Sequence, residues 1–419
     1  MSTPSSSDAE ANRPVRRRHV LYLGGFDPQG PAHYHAMYQR EAAKQAAVSG
    51  YTLTVGPRLR AGAHAATWAL SWQNPGGEVC ETDYEFLRWD DFVRQHWPKG
   101  QAKLIGMTLR TTWRMLANGS LWRMLQTSWP AFLAISAPGL MIVGVTLALL
   151  LLFLAAVGLE AATASLWPAL ALLVFGLPSL FFAARWLQAR TQMAWLMRSA
   201  TVILQQACGQ TPDLEARLDE FASRLHQVLS RPDLDEVLVV GHSSGAMLAV
   251  SVVARALRMA EATGLPSSSR LSLLTLGQCM PVLSYQPEAT AFRAELNTLR
   301  RAPELFWLDV TAPPDGCCFA LHDPSGICLD GLSTAPEGDL GGAKCVSPRF
   351  AQLFSAATYR EVKRDKYRCH FQYLMAGERV GFYDFFAITA GGSALDRRFE
   401  AAPAVQGFRD LQRFGSPAR

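Results

Sequence analysis

Apolar and polar positions along the chain fall into three patterns: short β-branched runs, stretches with helical spacing, and two long runs without any charge. The short runs His19–Leu23, Tyr51–Val55, Val237–Val240, Leu271–Leu276 and Leu305–Val310 predict strands. Thr67–Trp72, Asn74–Gly77 and Glu78–Thr82 read together as a hairpin. Helical spacing predicts helices over Pro31–Val48, Pro212–Leu229, Ala246–Ala262 and Glu288–Leu299. Strands and helices alternating in this way imply a mostly parallel sheet covered on both faces, an α/β fold. In the aromatic and acidic run Tyr84–Val93, the adjacent Asp90 and Asp91 read as caps and dipole partners at a helix start.

The uncharged runs change the picture. No charged residue occurs from Met124 to Leu159, Glu160 interrupts, and Ala161 to Ala184 is again uncharged. Each run exceeds the ~20 residues that cross a bilayer, which predicts two transmembrane helices, 130–158 and 166–184, turning near Ser165–Pro168. Before them, Lys103–Trp129 alternates basic and apolar residues with helical spacing, including Arg110, Arg114, Trp122 and Arg123, the pattern of an interfacial segment. Arginines flank the pair on both outer ends, with Arg185, Arg190 and Arg198 following it. The positive-inside rule then puts the catalytic domain and both termini in the cytoplasm and the hairpin loop on the other side. A re-entrant hairpin in one leaflet and a buried helical pair in an oligomer are the alternatives.

Composition agrees with a membrane partner. Hydrophobic residues make up 49% of the 419 positions, and the net charge of +5 is modest and gathers beside the apolar runs, where it suits a lipid surface. No nucleic-acid motif accompanies it. The eight cysteines form no Cys-x-x-Cys pair and read as reduced thiols. Cys317 and Cys318 with His322 match none of the usual zinc spacings, so neither metal nor cofactor is expected. Residues 1–18, polar and ending in Arg16-Arg17-Arg18, read as a disordered basic arm without a secretory core. The organisation expected is that arm, a first part of the catalytic domain over 19–98, a membrane insertion over 99–200, a second part over 201–395 and a tail over 396–419.

The sharpest chemical signal is Val237-Leu-Val-Val-Gly-His-Ser-Ser-Gly-Ala-Met-Leu-Ala-Val250. A β-branched run ends at Gly241, Gly241-His-Ser-Ser-Gly245 matches Gly-x-Ser-x-Gly, and an apolar helical pattern begins at once. A turn that lifts a serine above a sheet edge needs glycines on either side, because side chains at 241 or 245 would collide with the neighbouring strand and helix. Ser243 is then offered as a nucleophile, and the Ser244 backbone N–H, at a helix start, faces a developing oxyanion.

With that strand, turn and helix in place, the chain resembles the α/β-hydrolase superfamily, over residues 19–56 and 210–390 with the helical hairpin between. The resemblance implies that Ser243 is the nucleophile. It also implies that the loop Gly24–Pro31 supplies a second oxyanion-hole N–H, from Gly25 or Phe26, and that an acid and then a histidine follow the serine. Only His322 and His370 lie beyond Ser243, and His370 leaves room for an acid-bearing loop and one more strand. For the acid, Asp315 sits in a turn just past the strand Leu305–Val310, with Asp309 and then Asp323 in reserve. His33 and His35 precede the serine and read as pocket-lining or surface residues.

The function these signs imply is a membrane-anchored serine hydrolase, esterase- or lipase-like, cleaving carboxylic esters or less readily thioesters through an acyl-enzyme. An insertion leaving the C-terminal edge of the sheet favours lipid-like or acylated substrates. The reading from another class is a membrane-tethered scaffold that keeps the hydrolase fold without turnover. A small transporter is disfavoured, since the spans carry no ionisable residue apart from Glu160.

Overall fold

A computed structural model describes residues 13–98, 100–264, 269–326 and 342–404. The chain divides into two compact units, one of residues 1–95 and 205–419 and the other of residues 96–204.

Among the described residues, the first unit is an α/β structure built on one mixed nine-stranded sheet. Its strands are β1 (Arg17–Leu23), β2 (Thr52–Val55), β3 (Leu59–Arg60), β4 (Ala65–Gln73), β5 (Val79–Leu87), β6 (Glu236–His242), β7 (Arg270–Leu276), β8 (Leu305–Val310) and β9 (Lys344–Val346). They run in the order β2-β4-β5-β1-β6-β7-β8-β9, with β3 on β4. Every pairing from β5 to β9 is parallel, whereas β4 is antiparallel to β2, β3 and β5. The expected break after Thr82 does not occur, because β5 continues through Tyr84 and Phe86, whose rings face the core.

The chain-order helices are α1 (Pro31–Ser49) and α2 (Asp90–Gln95), then α3 (Gln101–Ala117), α4 (Ser120–Thr127), α5 (Trp129–Thr163), α6 (Leu166–Thr191) and α7 (Met193–Ala207). They continue with α8 (Pro212–Leu229), α9 (Gly245–Thr263), α10 (Thr290–Arg300), α11 (Ala356–Arg364), α12 (Lys366–Phe371) and α13 (Phe385–Ala390). Helices cover both faces, so the central β6 is buried along its whole length and reads as a continuous apolar run rather than an alternating one. On one face Val20 and Tyr22 of β1 meet Tyr34 and Tyr38 of α1 and the rings of Trp68, Tyr84 and Phe86. Trp68 and Tyr84 stand opposite each other in the β4–β5 register and stack at 4.6 Å, a cross-strand aromatic pair.

The N-terminal edge of the sheet corrects one expectation. The basic arm expected through Arg18 stops short: Arg17 and Arg18 open β1, and Arg18 is buried. Its guanidinium donates to Glu236 Oε2 at 2.7 Å, to Gly391 O at 2.7 Å and to Ser393 O at 2.8 Å. Glu236 in turn accepts from Ser272 Oγ at 2.8 Å and from the Leu395 N–H at 2.9 Å. A buried guanidinium is tolerable only when paired and bonded in this way. The tail expected from residue 396 also starts later, since Phe399 is buried and a helical turn covers Leu395–Arg398. The rest of both terminal segments, residues 1–12 and 405–419, lies outside the described residues.

The second unit contains two helices long and apolar enough to cross a membrane, α5 with 35 residues and α6 with 26. Both exceed the expected spans, because apolar periodicity marks where lipid could lie and not where helix ends. Their side chains point outward: Leu151, Phe153, Phe175 and Phe182 are exposed. The two helices approach closely at Gly176, where a β-carbon would fall 2.7 Å from Leu152 Cδ1. A β-carbon on Gly139 of α5 would fall 2.7 Å from Thr112 Oγ1, so α3 lies directly on the first part of α5. Thr111 of α3 and Thr201 of α7 share a hydrogen bond of 3.1 Å.

Replacing Glu236 by Gln strips the buried Arg18 charge of its counter-ion. Breaking a buried pair on one side costs about 3 kcal/mol or more, so the thermal midpoint of purified Glu236→Gln protein is expected to fall by several degrees. An unchanged midpoint would mean that the Arg18–Glu236 contact does not hold the sheet edge.

Candidate active site

The elbow between β6 and α9 follows from two close approaches. A β-carbon on Gly241 would sit 2.6 Å from Ala246 Cα, and one on Gly245 would run into the carbonyl oxygens of Leu23 and Gly24. Only glycine lets strand, helix and neighbouring strand meet here. Between them Ser243 takes a left-handed backbone, φ +59°, a strain on the order of 1–2 kcal/mol for a non-glycine residue. Its N–H donates to Leu276 O at 2.8 Å on β7, which ties the turn to the next strand.

The three side chains singled out in the sequence come together. Ser243 Oγ lies 2.8 Å from His370 Nε2, and His370 Nδ1 lies 2.9 Å from Asp315 Oδ2. His370 Nδ1–H donates to the carboxylate, which leaves Nε2 facing the serine hydroxyl. Asp315 and His370 are each 1% exposed and Ser243 is 7% exposed, so water is largely excluded. Burial pushes the Asp315 carboxyl upward, but the His370 charge and hydrogen bond, the Cys317 N–H and the Tyr373 hydroxyl together hold it below the ordinary carboxylate value. Tyr373 Oη donates to Asp315 Oδ2 at 3.0 Å and itself accepts from the Ala312 N–H at 2.8 Å, which anchors the turn after β8.

The reserve candidates are occupied elsewhere. Asp309, inside β8, accepts from Thr275 Oγ1 at 2.6 Å, and burial pushes its carboxyl up to about 8. Such a group is mainly protonated at neutral pH and has no negative charge to offer an imidazolium. Asp323 accepts from the Ser325 N–H at 2.9 Å, and His322 approaches Tyr285 Oη at 3.5 Å. His35 bonds to Gly56 O at 2.9 Å and packs on Trp68, so it belongs to the α1 core side.

The loop after β1 closes over the elbow. A β-carbon on Gly25 would fall 3.0 Å from Ser243 Cβ, so the loop backbone lies directly against the serine. The Phe26 N–H donates to Ser244 Oγ at 2.7 Å. Ser244 is the N-cap of α9, and the first N–H groups of a helix have no intrahelical acceptor. Gly25, Phe26 and Ser244 therefore share one patch beside Ser243 Oγ. The loop is held from behind: Trp89 Nε1 donates to Gly24 O at 2.9 Å, and Asp27 accepts from the Gln29 N–H and Tyr34 Oη at 2.9 and 3.1 Å.

Three contributions were not foreseen. The Ser244 hydroxyl engages the loop, where only its backbone N–H was expected to matter. Tyr373 and His242 read from sequence as packing and as a variable motif position; Tyr373 instead donates to Asp315 and orients its carboxylate. His242 Nε2 lies 2.9 Å from the His370 backbone oxygen, which fixes the segment bearing that ring. Nothing in periodicity separates a positioning tyrosine from a core tyrosine, because both are buried aromatics.

Among the described residues, the donor atoms of Asp315, Cys317 and His370 lie within 4.8 Å of one another, a spacing that a metal ion could bridge. Two of the three are already bonded to each other, and burial with the nearby Asp315 charge holds the Cys317 thiol well above its ordinary value. A metal would have to break that bond and remove that proton.

Burial and the His370 charge hold His242 down to about 3, against 6.5 for an unperturbed histidine. Between these values the unfolded chain binds a proton that the folded chain does not, so stability falls as pH drops from about 6.5, by up to ~1.4 kcal/mol per pH unit. The Asp315 contribution has its own window: full above about 3.8 and lost only below it. A His242→Asn variant is therefore expected to show a flatter decline of thermal midpoint between pH 6.5 and 4, and an unaltered slope would mean that His242 is not held neutral. No protein-family model, curated protein or solved structure matches this chain.

Proposed function

We propose that this protein is a membrane-anchored serine hydrolase of the α/β-hydrolase type, cleaving carboxylic esters, and thioesters less readily, through an acyl-enzyme. One observation carries the reading: the continuous hydrogen-bonded line Ser243 Oγ, His370, Asp315, with the serine in a left-handed backbone at the end of a central parallel strand. A serine hydroxyl is a poor nucleophile until a base takes its proton, and that base needs a carboxylate to fix its tautomer. Structural serines have no need of either, nor of the backbone strain.

The steps follow from these positions. Ser243 Oγ attacks the ester carbonyl carbon while its proton passes to His370 Nε2, and Asp315 stabilises the imidazolium. The carbonyl oxygen gains the negative charge and accepts from the Ser244 N–H and from the Phe26 N–H, which exchanges its bond to Ser244 Oγ for one to the oxyanion. Collapse breaks the bond to the leaving alkoxide, which takes the proton from His370. Water, deprotonated by the same ring, then attacks the acyl carbon, and expulsion of Ser243 Oγ releases the acid and restores the resting state.

Anchoring of this unit rests on α5 and α6, with the basic flanks on the cytoplasmic side. Helix α2, which follows the Trp89 support of the oxyanion loop, is the last element before the chain enters the apolar insertion. That continuity supports lipid-like or acylated molecules as the substrate class.

A fluorophosphonate probe is expected to label the native protein and to leave Ser243→Ala unlabelled. Asp315→Asn is expected to lose about 10⁴ in kcat on a soluble short-chain ester, whereas Asp309→Asn stays within a fewfold of the parent. A folded native protein that stays unlabelled would count for the non-catalytic scaffold, and equal losses at both aspartates would remove the role given to Asp315.

A further inference from the structure

The charge of this chain is unevenly held. From residue 96 to 204 there are eight lysines and arginines and one acidic residue, Glu160, a charge of +7 within a protein whose total is +5. Glu160 lies near the turn between α5 and α6, far along the hairpin from the arginines.

Helix α6 carries its own depth markers. Trp167 near its start and Trp186 near its end are both exposed, and the nineteen residues Leu166–Ala184 are uncharged. At 1.5 Å per residue that stretch spans about 28 Å, close to the ~30 Å hydrocarbon thickness of a bilayer. Tryptophan gathers at the headgroup level, so Arg185 and Trp186 mark the basic boundary. Helix α5, with 35 residues, is roughly 52 Å long, and its first part therefore extends beyond that boundary.

A cavity of about 440 Å³ lies at this level, inside the second unit, between α3, α5, α6 and the start of α7. Its walls are apolar toward the membrane centre, with Val145, Leu149 and Phe181, and its polar groups are Gln101, Arg185 and Gln188. Thr108 and Thr146 also line it, but their hydroxyls bond to Leu104 O and Ile142 O of their own helices. Guanidinium and amide groups above an apolar slot at headgroup depth, with no carboxylate among the residues that line it, match one class of molecule.

We propose that this groove is a binding site for an anionic phospholipid, with one acyl chain between α5 and α6 and the phosphate on Arg185 and Gln188. The proposal rests on the membrane-spanning reading of the hairpin and is independent of the catalytic one. Arg185 supplies a charge-assisted bond to phosphate that a neutral or zwitterionic headgroup returns less strongly. Arg190, one turn further on and stacked over Trp186, carries the same charge but does not line the cavity.

The test uses the full chain. Alkaline carbonate extraction of cell membranes first reads the hairpin: retention in the pellet supports the spans, and release to the supernatant overturns both the spans and this site. Native mass spectrometry of protein purified in detergent with phosphatidylglycerol or phosphatidylcholine then reads the groove. Retention of phosphatidylglycerol is expected to exceed that of phosphatidylcholine. Arg185→Gln is expected to weaken it about tenfold, Val145→Trp to abolish it by filling the slot, and Arg190→Gln to change it less than twofold. Circular dichroism checks that each variant stays helical. Equal loss in Arg185→Gln and Arg190→Gln, or retention unaffected by Val145→Trp, would reduce the effect to general surface charge and overturn the site.

Discussion

Everything in the candidate site depends on how closely the backbone of Gly245 lies against the carbonyl oxygens of Leu23 and Gly24. That approach fixes three things at once: the start of α9, the end of β1, and the loop that follows β1. Ser243 is held in its left-handed conformation because its flanks cannot move apart without losing the β1–β6 pairing, which runs in register from Arg18 to Leu23. The Phe26 N–H reaches Ser244 Oγ for the same reason. Strain at one residue is thus maintained by the rigidity of a sheet buried on both faces.

Around this point the polar groups are arranged so that burial works with the chemistry. Asp315 and Asp309 are both buried in or just after β8. One receives the His370 ring with its charge, a backbone N–H and a phenol, and is held ionised; the other receives neutral side-chain donors from Thr275, Thr311 and Gln278, lies near the Asp323 charge, and is pushed toward its neutral form. Neighbouring charge as well as hydrogen bonding, not exposure or position in sequence, separates the carboxylate held ionised beside His370 from the one held neutral. His242, neutral and bonded to the His370 carbonyl, adds a second constraint on the ring without competing for its proton.

Strand and helix existence was legible wherever one period dominated: Pro212–Leu229 and Leu305–Val310 occur with the expected bounds, because an amphipathic helix and a short β-branched strand each have few competitors. Boundaries failed where context overrides composition. Arg17 and Arg18 look like part of a solvated basic arm, yet they open β1 because Glu236, 218 positions later, pairs with Arg18 in the interior. The uncharged runs announced α5 and α6 correctly but could not show where the helices stop, since α5 continues through Glu160 to Thr163 and α6 continues past the apolar stretch into the basic flank.

The sequence by itself determined the local pieces: a glycine-bracketed serine between a strand and a helix, two apolar helices, and the candidates Asp315 and His370. Those signals are local because turn geometry and helix hydrophobicity are set by neighbouring residues. Only the tertiary structure decided which carboxylate meets His370, that Tyr373 and His242 hold that pair in place, and that the Ser244 hydroxyl ties down the Phe26 N–H. Those choices join residues dozens to hundreds of positions apart, and they are settled by the register of parallel strands and by which buried polar atoms find partners, neither of which leaves a periodic trace in the chain.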